Sequence, residues 1–228
     1  MEKKERIGLG LMYMDGQIIL NEYREKQKDL EEELLPKLIE AHKIERFRVK
    51  QQCDRHTKVC FVFSCPGQQE MLEDKLCAGQ TGDNLNLLLS ILNKMNNTIF
   101  PYLSKSEYDI LNATPIVHFK KLDGKTEGTK KEINENIPVV ETYIKSNPNL
   151  KYAIFCGNKA KLLIDSFRKK KIIVISINHL GFQSVNQINK DSSGKIINEE
   201  TYENPEERTK ARIEKIANDI IGKIEVKS

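Results

Sequence analysis

Residues 59–89 read VCFVFSCPGQQEMLEDKLCAGQTGDNLNLLL, and this stretch decides how the rest of the chain is read. An apolar run from Val59 to Ser64 is closed by Pro66 and Gly67. A run so short and so punctuated suits a buried strand rather than a helix. A polar loop with glycines at 67, 79 and 82 follows, and Asp83 is placed to cap a helix lined by Leu85, Leu87, Leu88, Leu89 and Leu92. The unit is strand, long loop, helix. In open α/β sheets, ligands sit outside the carboxyl ends of the strands. Chemistry is therefore expected between Ser64 and Asp83.

Working outward, three more apolar runs have the same character: Tyr108–Ala113, Tyr152–Cys156 and Ile172–Ile177. Helical spacing fills the intervals, over 83–97, 130–146, 158–169 and 205–223, with a bend expected at Pro138. Alternating strands and helices predict a single-domain three-layer α/β/α fold with a central four-stranded parallel sheet and right-handed crossovers. Three strand ends carry polar residues, Ser64, Asn112 and His179, which a parallel sheet would bring to one edge. Upstream, a D-G turn predicts a hairpin over 7–20, and residues 21–46 read as a helix kinked or broken at Pro36. Residues 1–50 are thus expected to form a hairpin and helix packed on a core formed by 51–228, one compact domain overall. Residues 47–58, 120–129 and 180–204 read as polar connections.

The chain has 228 residues, 39% hydrophobic and 31% charged, enough for one soluble core. No apolar run approaches the ~20 residues of a membrane span, and the first residues lack the apolar centre of a signal peptide. A cytoplasmic monomer is expected. The cysteines at 53, 60, 65, 77 and 156 form no C-x-x-C pair, so neither a disulfide framework nor a metal site is expected. The net charge of +4 is unevenly spread: residues 118–131 hold five lysines against Asp123 and Glu127, and Arg168–Lys171 is uninterrupted. Both runs are candidate phosphate contacts.

Taken in order, the strand ends resemble the uracil-DNA glycosylase superfamily. FSCPGQQEMLEDKLCAGQTGDNL is similar, without a gap, to the first motif of its iron–sulfur branch, G-E-A-P-G-x-x-E-D-x-x-G-R-P-F-V-G-x-A-G-x-L-L, with Pro66, Gly67, Glu70, Gly79, Gly82 and Leu85 on family positions. DILNA, ending in Asn112 and Ala113, resembles the strand whose asparagine recognises the base. Gly157 and Ala160 in IFCGNKA resemble the G-x-x-A that opens the next helix, and His179 in ISINHLGF resembles the histidine that opens the last motif. The resemblance covers residues 55–188 and implies DNA as partner and base excision by flipping, with no cofactor because water is the nucleophile.

The resemblance also implies roles. Asn112 would read the base, since an asparagine offers one donor and one acceptor edge. His179 would stabilise negative charge on the departing base, and the turn Cys65, Pro66, Gly67, Gln68 would offer N–H groups to a base carbonyl. Leu180, Gly181, Phe182, Gln183 and Ser184 would form the loop pressed into the minor groove, with Leu180 or Phe182 as wedge. The sequence departs from the pattern at key side chains. Ser64 stands where the iron–sulfur branch has glutamate, and Cys65 where other branches have aspartate or asparagine. Glu70 is then the best catalytic carboxylate, with Glu73 and Asp74 as further candidates and Ser64 as a water-positioning group. Cys77 replaces the phenylalanine that stacks on the base, which enlarges the pocket, and the cluster cysteines are absent. A reactive-thiol role for Cys65 or Cys77 is a further reading. Two function classes stay open: a glycosylase for uracil or a related damaged or modified base, and a glycosylase-fold module that binds or senses DNA, base or nucleotide.

Overall fold

The computed structural model describes residues 31–227, so the hairpin expected at 7–20 lies outside the described residues. A helix, α1 (Glu31–Ile44), leads to β1 (Val59–Phe63), α2 (Gln68–Glu73) and α3 (Gly79–Met95). Then come β2 (Asp109–Asn112), α4 (Lys120–Asp123), α5 (Lys130–Ser146), β3 (Tyr152–Cys156), α6 (Ile164–Arg168), β4 (Ile173–Ile177), α7 (Phe182–Asn186) and α8 (Pro205–Glu225). The four strands form one parallel sheet in the order β2-β1-β3-β4.

Strand side chains alternate between faces, and the alternation divides the core in two. Val59, Phe61 and Phe63 of β1, Ile154 and Cys156 of β3, and Ile175 and Ile177 of β4 pack with the leucines of α3 and the isoleucines of α8. Cys60, Val62, Ala153, Phe155 and Val174 point the other way, onto Ile133, Val140, Tyr143 and Ile144 of α5 and Phe167 of α6. Helices therefore cover both faces, and the expected three-layer α/β architecture is the one observed. Leu38 of α1 and Val49 join the first of these cores.

Local chemistry sets several helix ends. Thr129 and Glu132 form a reciprocal capping box at α5. Asn204 caps α8, with Pro205 at its first position and Glu206 and Glu207 in its first turn. α3 corrects the sequence reading: it starts at Gly79, with Ala78 at the N-cap position and no side-chain cap, a full turn before Asp83. Gly82 is a point of close approach rather than a turn, since a Cβ there would collide with the Cys77 carbonyl and the Lys105 ammonium. Gly82→Ala must displace that backbone, and about 1–3 kcal/mol of stability is expected to be lost, readable in urea unfolding. α1 runs through Pro36 and α5 through Pro138 without a break. Residues 158–169 are a 3-10 turn, Ala160–Leu163, followed by the short α6 rather than one helix.

Both sheet edges are covered, which periodicity did not foresee. On the β2 side, Gln52 and Ile110 exchange backbone hydrogen bonds at 3.0 and 2.7 Å in antiparallel sense, so part of the expected polar connection runs along the edge strand. On the β4 side, Lys223 and Lys227 donate to the Ser176 and Val174 carbonyls. Open strand edges invite pairing with other chains, and lysines block it. No described helix is long and apolar enough to cross a membrane.

Candidate functional site

The carboxyl edge of the sheet gathers the three polar strand ends. Phe63, the last residue of β1, is in register with Asn112 at the end of β2. Its ring meets His179 edge-on, with centroids 5.9 Å apart. The order β2-β1-β3-β4 places the change of winding direction between β1 and β3, where a crevice forms in doubly wound sheets. Ser64 and Gly157 follow those two strands.

At the β2 end the backbone of Asn112 is held on every side. Its amide donates to Gln51 Oε1 at 2.6 Å, and its carbonyl accepts from Gln51 Nε2 at 3.4 Å and Asn136 Nδ2 at 3.3 Å. Its carboxamide makes no hydrogen bond among the described residues, which leaves a donor and an acceptor for a ligand. At the β1 end, the Ser64 hydroxyl is buried without a hydrogen bond among the described residues. Buried polar atoms are almost always satisfied, and the polar group acting with this hydroxyl is the Cys65 thiol.

His179 follows β4 by two residues and is half-buried. Its Nδ1 accepts the Gly181 N–H at 2.9 Å. That bond fixes the tautomer, with the proton on Nε2 and aimed away from the loop. Burial holds the imidazole below its ordinary value, with the charge of Glu127 opposing, so the ring is neutral at pH 7. Gly181 must lack a side chain, because a Cβ would lie 2.9 Å from Nδ1. The loop is pinned to α3 by Asn84 Nδ2, which donates to the Leu180 carbonyl at 2.7 Å.

The other first-motif residues divide. Glu70 is partly committed: its Oε2 accepts the Gly67 N–H at 3.0 Å and closes a capping box on α2, while burial raises its pKa. The same bond takes the Gly67 amide, so that N–H of the turn is not free for a base carbonyl. Pro66 accepts the His118 amide at 2.9 Å, and Gln68 opens α2. Glu73 and Asp74 are exposed at the end of α2. Cys77 is buried in the core beneath α3, and its carbonyl accepts from Lys105. Neither thiol is activated: burial pushes Cys65 up to about 12 and raises Cys77 well above its ordinary value.

A loop that no motif covers closes the site. Residues 124–128 are anchored by His118, whose Nδ1 meets Asp123 Oδ2 at 2.6 Å and whose Nε2 meets Glu132 Oε2 at 2.9 Å. Arg46 flanks both carboxylates at 3.9 and 3.6 Å. Beyond this clamp, the Thr126 carbonyl lies 3.9 Å from the Cys65 sulfur, and Gly128 packs against Thr114. Glu127 lies between them, exposed, and its charge acts on both Cys65 and His179. It makes no ion pair among the described residues. Sequence reading counted Glu127 only against nearby lysines; its place after β2, on the carboxyl edge, was the available signal.

The loop after β4 separates the two wedge candidates. Leu180 is fully buried in the core, whereas Phe182 is 67% exposed at the start of α7, with Gln183 exposed beside it and Gly181 and Ser184 half-buried. Burial thus removes Leu180 as a projecting group. The two basic runs also part. Lys120–Lys131 follows β2 and shares the edge with the pocket, while Arg168–Lys171 precedes β4 and lies at the opposite edge. No family model matches the chain, and no curated protein matches it.

Proposed function

We propose that the chain is a DNA glycosylase of the uracil-DNA glycosylase superfamily, hydrolysing the N-glycosidic bond of uracil or a related damaged or modified base turned out of the stack. The observation that carries this reading is the neutral His179, fixed by Gly181 so that an unpaired Nε2–H is offered at the strand edge that also holds Asn112. A departing pyrimidine leaves with negative charge on a carbonyl oxygen, and a preorganised neutral donor stabilises that charge as it grows. The Asn112 carboxamide reads the base edge. The backbone gives independent support. Asp74 stands where the first-motif pattern has glycine, and the chain there is left-handed, with φ 52; Gly79, on a family glycine, has φ 61.

In this reading water attacks the anomeric carbon, the carbon–nitrogen bond breaks, and its electron pair leaves with the base. A carboxylate takes the proton of the water. Glu127, exposed on the loop after β2 with its charge felt at His179, is the first candidate for that carboxylate, and Glu70, raised by burial but tied to Gly67, is the second. Phe182, exposed at the start of α7, would fill the gap left by the base. Cys77 is buried in the core beneath α3, so it opens no added space for the base.

The test is a panel of single- and double-stranded oligonucleotides carrying uracil, hypoxanthine, xanthine or hydroxymethylated bases, scored for alkali-labile abasic sites. Wild type is expected to release at least one base, and Glu127→Gln to slow that release by about 10²–10⁴-fold. A second reading, a base- or DNA-sensing module, is favoured by the uncharged Ser64 and the protonated Cys65 at the β1 end, where relatives carry a carboxylate or amide. Tight binding of one modified base with no abasic product from any substrate would select it.

A further inference from the structure

The amino edge of the sheet, opposite the pocket, carries a cationic surface that no step of base excision uses. β1, β3 and β4 start in register, with Val59 beside Tyr152 and Tyr152 beside Ile173. Each start is preceded by lysine: Lys58 and Lys151 immediately before β1 and β3, and Lys171 two residues before β4. Neighbouring strands lie about 4.8 Å apart, so the sheet itself sets the backbone positions of these lysines along one edge. Hydrogen bonds tie the three segments into one surface. The Lys58 carbonyl accepts the Lys151 and Tyr152 amides, both at 2.9 Å, and the Lys151 carbonyl accepts the Ile173 amide at 2.9 Å. Asn149 Nδ2 donates to the His56 carbonyl at 3.3 Å.

Segments 53–58, 145–151 and 165–171 hold Arg55, Lys58, Lys145, Lys151, Arg168, Lys169, Lys170 and Lys171 against only Asp54 and Asp165. All of these basic side chains are exposed. The two acids lie near the two arginines, at 3.6 and 3.9 Å. None of the six lysines makes an ion pair among the described residues. The backbone is closed rather than loose here: the Lys170 and Lys171 amides donate to the Phe167 and Arg168 carbonyls at 3.0 and 2.9 Å. Lys171 itself is held in the left-handed region, with φ 59.

We propose that this edge is a second nucleic-acid surface, taking the phosphodiester backbone of a DNA segment other than the one presented to the pocket. Phosphate neutralisation by unpaired lysines releases counterions and needs no sequence readout. Protein partners instead require a desolvated apolar or aromatic centre, and none of the exposed large hydrophobic residues falls in these segments. The surface faces away from the pocket by the length of the strands, so it holds a second segment or a distant part of the same one. The inference does not depend on the glycosidic chemistry.

The experiment uses Lys58→Ala, Lys151→Ala, Lys169→Ala and Lys170→Ala combined, checked for a wild-type thermal transition. Binding to an undamaged duplex is followed by anisotropy against salt, and capture of a second labelled duplex by a bead-bound one is followed alongside. The fourfold variant is expected to shallow the log K against log salt slope by about 3–4, at about 0.9 per phosphate contact. It is also expected to lose duplex-to-duplex capture while releasing base from a short single strand at the wild-type rate. An unchanged slope, or wild type that captures no second duplex, overturns the proposal. Displacement of the duplex by polyglutamate or phosphatidylserine vesicles at equal charge overturns the assignment to nucleic acid. A wild type without base-releasing activity that still shows the slope change sinks the glycosylase reading alone.

Discussion

Replacing His179 with alanine is expected to lower base release by about 10²–10³-fold, the loss seen when one preorganised donor to a developing oxyanion is removed. The effect should fall on kcat rather than KM, because the Nε2–H bond strengthens only as charge builds on the base. Asn112→Ala should instead weaken binding and discrimination between bases. The fold should survive the His179 change, since among the described residues the half-buried ring hydrogen-bonds only to the Gly181 amide. The pH dependence has a definite sign. The imidazole is held below its ordinary value of 6.5, and the working form is neutral. Base release should therefore persist as pH falls through 6.5 and decline only at the lowered value. In the unfolded chain the same residue takes up its proton at the ordinary value. His179 thus contributes a stability that rises with pH and is lost progressively below 6.5. A kcat–pH profile beside urea melts at matching pH separates the two.

His118→Ala is expected to cost about 1–3 kcal/mol of stability, the range for leaving buried polar groups without their hydrogen-bond partner. The His118 side chain is wholly inaccessible, and each ring nitrogen faces a carboxylate oxygen. Without the ring, Asp123 and Glu132 confront each other with only the half-exposed Arg46 to compensate. Urea unfolding measures the loss. Activity should fall as well, because the same residues anchor the loop that carries Glu127, and proteolysis within 124–128 should quicken. Burial works to raise the Glu132 carboxyl, but the Thr129 amide and hydroxyl together with His118 outweigh it and hold the group below 4.5. A depressed carboxylate stabilises the fold fully above its unfolded value and loses that contribution as pH falls through the folded one. Acid unfolding of wild type should therefore have a component below pH 4.5 that is smaller in His118→Ala, where only the Thr129 bonds still hold Glu132 down.

The four strands could be read because each is buried on both faces: continuous apolar runs closed by Gly, Pro or a polar residue have few other solutions. The bounds of α5 and β3 agree with their sequence readings because a capping box marks the start of one and a glycine the end of the other. α3 begins one turn before the Asp83 that its sequence marks as a cap. Gly79 and Gly82 weigh against a helix on propensity, and only the passage of the Cys77 backbone and Lys105 beside Gly82 explains why glycine is needed inside it. Leu180 and Phe182 are both apolar and two residues apart, so nothing in the sequence distinguishes the core residue from the exposed one.

What the sequence determined by itself was the class of fold and the three strand ends, Ser64, Asn112 and His179, since local periodicity and punctuation specify strands and their order. What only the tertiary structure decided was how those ends are equipped. The Gly181 amide sets the tautomer of His179, and the His118 clamp anchors the loop that carries Glu127. Glu70 is drawn into a helix cap, and one basic run lies beside the site while the other lies across the sheet from it. The physical reason is range. A strand or a cap is written in neighbouring residues, whereas a tautomer, a desolvated carboxyl and a charged edge depend on groups tens of residues apart that only the packed sheet brings together.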